Sequence, residues 1–124
     1  MNLSVEQFER IVEEAIESLP EKFKKKINNL AVFVENFATR EQLNKVGLSN
    51  PYSLFGLYEG HVQSRRRNVG PVLPDRITIF RQPIIKSCSN GEECVKRIIN
   101  TVKHEIAHHF GSDEKGARKA GKRA

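Results

Sequence analysis

Residues 104–108 read His-Glu-Ile-Ala-His, the pattern H-E-x-x-H. Two histidines four positions apart stand one turn apart on the same side of an α-helix, so both imidazoles reach a single point in space. Zinc takes imidazole nitrogen at about 2.0–2.1 Å, and two such ligands on one helix face supply half of a tetrahedral shell. Glu105 projects to one side of the pair, where a carboxylate takes a proton from water without filling the coordination sphere. A match of this kind arises by chance in on the order of one chain of this size in several hundred. The plain alternative is two solvated histidines on an exposed helix face.

The helix that must carry the pair is legible around it. With residues placed about 100° apart, Val95, Ile98, Ile99, Val102, Ile106 and His109 fall in one apolar arc. His104 and His108 fall on the far side with Arg97, Asn100 and Thr101, which points the pair into a cleft or toward a second layer. The helix is expected to begin at Glu92 and to end at Gly111. From His104 to Glu114 the chain reads H-E-x-x-H-x-x-G-x-x-E, with a second acid at Asp113. A turn at Gly111, which a glycine takes cheaply even at positive φ, would bring an acid back as third ligand. Three protein ligands and water make a catalytic zinc site; Glu114, three residues after Gly111, can be the third, with Asp113 as the alternative.

The remaining elements form the scaffold. Ser4 and Gln7 make a capping box before Phe8, Ile11, Val12, Ala15, Ile16 and Leu19, an amphipathic helix that ends by Pro20. A short basic helix follows over Glu21 to Asn29. Leu30 to Val34 is apolar on both faces and reads as a central strand. Thr39 caps one or two helical turns closed by Gly47. A short strand is expected within Leu54 to Tyr58 and another over Asp75 to Arg81, separated by a loop from His61 to Pro74. Pro83 to Gly91 reads as a connection. Helices, short strands and a late long helix give an α+β fold in one domain over residues 1–124, with a charged tail from about residue 115.

Two segments then resemble a known family, the small bacterial zincin-like metallopeptidases, or minimal zincins, whose motif is related to that of the metzincins. One is LFGLYEG at Leu54 to Gly60 with LPDRITIFRQPI at Leu73 to Ile84; the other is HEIAHHFG at His104 to Gly111. The resemblance implies a minimal zincin-like fold, a small mixed β-sheet packed against helices that include the H-E-x-x-H helix. It implies zinc and a peptidase site acting on peptide or protein. Many members carry Asp where this chain has Glu114, so the carboxylate is kept on a side chain one methylene longer.

Other residues offer less chemistry. Tyr58, in the family-like segment, is either a hydrogen-bond donor to a tetrahedral oxyanion or a half-buried sheet aromatic. Its strand, if at an edge, would pair with substrate backbone. Arg76 and Arg81 flank a strand, and His61 is an isolated loop histidine. Cys88 and Cys94 lack the C-x-x-C spacing of a structural zinc site, and Cys94 reads as a packing thiol. His109 reads as a buried histidine beside the site, since a helix cannot aim adjacent residues at one ion.

Composition bounds the rest. The chain has 124 residues, 38% of them hydrophobic and 29% charged, and it has no apolar run long enough to span a bilayer. Its N-terminus is acidic and amphipathic, so no secretory signal is expected, and two cysteines cannot form a disulfide framework; a cytoplasmic location is expected. The net charge of +6 admits nucleic acid, yet the first 21 residues hold six acids and one base, and the positive charge is split among Lys22–Lys26, Arg65–Arg67 and the tail. No aromatics interleave these clusters. The leading reading is a zinc metallopeptidase, with His104, His108 and Glu114 on zinc, Glu105 as general base and Tyr58 as an assisting donor. Its rivals are a zinc-stabilised binding module without catalysis and a nucleic-acid-binding protein using the basic loop and tail.

Overall fold

The computed structural model describes residues 3–25, 27, 29–60 and 74–113. Helix α1 (Val5–Glu17) starts at the Ser4–Gln7 capping box and buries Phe8, Val12 and Ala15. Helix α2 (Glu21–Lys24) is one turn, shorter than the stretch to Asn29 expected from sequence. Strand β1 (Leu30–Glu35) leads to α3 (Arg40–Lys45), which Thr39 caps with a second capping box. Gly47 follows with φ 75°, the left-handed conformation a glycine stop requires.

Strands β2 (Gly56–Glu59) and β3 (Asp75–Phe80) complete a mixed sheet of order β1-β3-β2. β1 runs parallel to β3, and β2 runs antiparallel to it. Among the described residues the central strand is therefore β3, and β1 is an edge, which corrects the expectation drawn from its two apolar faces. Phe33 accounts for the difference. It is 40% exposed and is covered by the Arg76 guanidinium, 4.0 Å from the ring centroid, rather than by another layer of the protein.

Helix α4 (Arg81–Ser87) occupies the stretch read as a connection. Pro83 lies in its first turn, where the missing N–H has no helical partner to lose, so proline there starts a helix instead of breaking one. Helix α5 (Gly91–Asp113) is the long helix. Asn90 caps it, accepting from the Glu93 backbone at 2.8 Å, while the Glu93 side chain accepts from the Ser89 backbone at 2.7 Å.

The core lies between α1, α5 and one face of the sheet. Phe8 and Val12 meet Ile77, Ile79, Ile84, Ile98, Val102 and Ile106 there. Each such side chain contributes about 1.5–3 kcal/mol on burial, so packing rather than helix propensity holds α5 against the sheet. Cys94 is buried in the same cluster, and burial, then its contact with Cys88, pushes its thiol up to about 12, as expected of a packing thiol. A smaller cluster of Ala38, Leu43, Leu54, Leu57 and Phe80 joins α3 to the other face. Among the described residues no helix is long and apolar enough to cross a membrane.

Candidate metal centre

The α5 face that holds the histidine pair turns toward β2. The Nε2 atoms of His104 and His108 are 3.2 Å apart. Two nitrogens at zinc-ligand distance subtending a tetrahedral angle stand about 3.3 Å apart, so the pair has the spread of a chelate. His104 is exposed and His108 is 7% exposed, so one ligand faces solvent and the other is set into the protein.

Glu105 lies between them in sequence and is 1% exposed. Its Oε1 atom is buried and has no hydrogen-bond partner. Burial pushes its carboxyl up to about 8. A buried carboxyl without a partner is costly and is retained where it has a task, either beside a cation or in proton transfer. The ligand-type atoms of His104, Glu105 and His108 all lie within 4.8 Å of one another. Two converging imidazoles and an orphaned carboxyl oxygen form a donor set that fits zinc.

Gly56 makes this placement possible. A Cβ there would stand 2.9 Å from Thr101 Cγ2 and 3.1 Å from Glu105 Cγ. Only a glycine at the start of β2 lets α5 approach closely enough to seat Glu105. A glycine inside a strand signals such an approach, and Gly56 lies in the LFGLYEG segment, but sequence reasoning gave it no role. A cleft of about 480 Å³ opens here between Phe55 and Gly56 on one side and Arg97, Asn100 and Thr101 on the other, with His104 and Glu105 in its wall. Arg97 is held in that wall, donating to the Ser87 carbonyl at 3.0 Å, to its hydroxyl at 2.8 Å and to Glu93 at 3.1 Å.

Tyr58 is not part of the cleft lining. It is a half-buried sheet aromatic whose hydroxyl donates to Asp75 Oδ2 at 2.7 Å, and an oxyanion role would require that bond to break. His109 is 3% exposed, as expected of a buried histidine beside the site, and its Nδ1 is 2.8 Å from the same Asp75 oxygen. No motif or period in the sequence singles out Asp75. Arg76 covers Phe33 on the opposite face of the sheet, and Arg81 opens α4 and bonds the Leu3 carbonyl.

The expected turn at Gly111 does not occur there, because α5 continues to Asp113. Glycine permits a left-handed stop but does not compel one, and inside a helix it costs only about 1 kcal/mol. Phe110 is meanwhile packed against Phe23, with ring centroids 5.4 Å apart, which keeps this end of the helix on the protein. Glu114, His61, Arg65–Arg67 and the tail from about 115 lie outside the described residues.

No curated protein matches the chain. A family model for zincin-like metallopeptidases matches residues 27–121, which includes the sheet, the cleft and the whole of the His104–Glu114 motif. The chain belongs to the zincin-like metallopeptidase family.

Proposed function

We propose that the chain is a zinc-dependent peptidase. The observation that carries this reading is the convergence of the His104 and His108 Nε2 atoms, 3.2 Å apart, beside the orphaned oxygen of Glu105. His104 and His108 hold zinc, with Glu114 as third ligand by its place in the motif. Zinc, when bound, supplies Lewis acidity that brings the pKa of a water toward neutrality.

The chain's own residues do the rest. Glu105 receives the water proton at Oε1 and returns it to the leaving amine. Its burial keeps the proton-bound form accessible near neutral pH, and a neighbouring cation would favour the carboxylate needed at the outset. β2 has one edge paired to β3 and, among the described residues, no strand on the other. An extended peptide laid along that edge would form backbone hydrogen bonds and cross the cleft beside His104 and Glu105. Tyr58 serves by holding its neighbours in place.

A purely structural zinc site has less use for a buried, unpaired carboxyl beside its ligands, so Glu105 favours the peptidase reading. The test is an unbiased peptide-library assay on zinc-loaded protein and on Glu105→Gln. The peptidase reading expects cleavage that falls about 10²–10⁴-fold in the variant while zinc content stays at about one per chain. Cleavage at an equal rate in the two proteins would refute it.

A further inference from the structure

The sheet face turned toward α5 is apolar except at one end. Gly56 and Tyr58 of β2 register with Ile79 and Ile77 of β3, and by strand alternation Asp75 shares their face. Asp75 is 7% exposed, and His109, which meets it from α5, is 3% exposed. One oxygen, Asp75 Oδ2, bonds both the Tyr58 hydroxyl at 2.7 Å and His109 Nδ1 at 2.8 Å. The two strands nearest the metal centre and the helix that carries it are thus joined at a single atom.

A group of this kind is a poor source of stability. Apolar side chains of similar volume would hold a helix on a sheet at least as well as a buried carboxylate and its partners. Its consequence is orientation. His109 directly follows His108. The Tyr58 ring lies almost parallel to the His108 ring, 11° apart in plane and 6.2 Å between centroids, and meets the His109 ring at 66° and 6.0 Å. Both imidazole planes are therefore set against one phenol whose hydroxyl Asp75 holds. With side chains reaching 5–6 Å from the helix axis, a rotation of α5 by about 10° would shift an imidazole by about 1 Å. Site geometries generally have to be held within about 0.5 Å.

We propose that Asp75 is the positioning residue of the metal centre, fixing through His109 and Tyr58 the rotation of α5 and the plane of the His108 ring so that both Nε2 atoms meet at one point. This rests on the reading of His104 and His108 as metal ligands.

The test compares zinc affinity, by chelator competition, and the visible absorption of the cobalt(II)-loaded protein in wild type, Asp75→Asn and Tyr58→Phe. Thermal unfolding of each metal-free protein is recorded alongside. Asp75→Asn is expected to weaken zinc about 10–100-fold and to alter the cobalt spectrum, because partners that orient ligands carry effects of that size. Tyr58→Phe keeps the ring on His108, loses the hydroxyl, and is expected to shift both readouts in the same direction by less. The double variant should weaken zinc by less than the product of the single effects, since both act at one oxygen. A merely structural role would lower the unfolding temperature and leave zinc affinity and the cobalt spectrum of the folded protein at wild-type values, and that result overturns the proposal. If Asp75→Asn does not fold, Tyr58→Phe decides by the same two readouts. A wild type that binds no zinc overturns the ligand assignment as well, whereas a wild type that binds, with variants that bind equally, overturns this inference alone.

Discussion

Gly56 lies so close to Glu105 that a Cβ added to it would stand 3.1 Å from the Glu105 Cγ and 3.3 Å from Oε2, with Thr101 Cγ2 nearer still at 2.9 Å. The strand and the helix touch where Glu105 is seated. Gly56→Ala is expected to cost about 1–3 kcal/mol, since Thr101 is β-branched and has little freedom to move aside. The same methyl should displace Glu105 and reduce hydrolysis more than it reduces zinc content, because the two histidines are not in its path. Chemical denaturation and metal analysis of one preparation check both parts. An alanine variant with wild-type stability would mean that Thr101 stands further from β2 than the 2.9 Å contact implies.

The parts of this site visible in the sequence are those governed by a period. His104 and His108 can be paired on paper because the helix repeat puts them on one face, and the apolar arc from Val95 to Ile106 identifies the helix. Local hydrogen-bonding chemistry is equally readable: the Ser4–Gln7 capping box, the Thr39 cap and the Gly47 stop all lie where their residue types demand. Asp75 was not readable. It meets His109 across 34 positions, and an acid at the start of a strand looks like an ordinary turn residue. Strand order failed for a related reason, since Phe33 gains its cover from Arg76 on the neighbouring strand, a pairing with no sequence period. Pro83 and Gly111 misled because each residue type permits two outcomes, and the packing of α4 and Phe110 selects between them.

The buried carboxyl of Glu105 should leave a signature in the metal-free protein. Burial raises it from 4.5 to about 8 in the folded chain, whereas unfolding returns it to its ordinary value. Between those pH values the folded state binds more protons than the unfolded state, so stability falls as pH rises. The contribution is fully present below pH 4.5 and is lost as pH passes through about 8. One proton gives a slope of at most about 1.4 kcal/mol per pH unit. Glu105→Gln has no carboxyl to ionise, so with chelator present its stability should fall less between pH 5 and pH 8 than that of wild type. At the upper end the variant should be the more stable by about 1–3 kcal/mol. Parallel urea titrations at the two pH values measure the difference, and equal slopes would show that Glu105 ionises as an exposed acid does.

The acids after Gly111 differ in their spacing from the histidine pair. Glu114 stands three residues after Gly111, the position that the H-E-x-x-H-x-x-G-x-x-E pattern gives to an acid, and Asp113 stands one residue earlier. Glu114→Ala is accordingly expected to weaken zinc binding at least about tenfold, and Asp113→Ala to change it much less. Chelator competition on the two variants, with His104→Ala as the reference for loss of a proposed histidine ligand, reads the ranking directly. The reverse ranking would place the third carboxylate at 113. Equal, negligible effects would remove both acids from the coordination shell and leave Glu105, whose carboxyl lies within 4.8 Å of both imidazoles, as the remaining acid able to complete it.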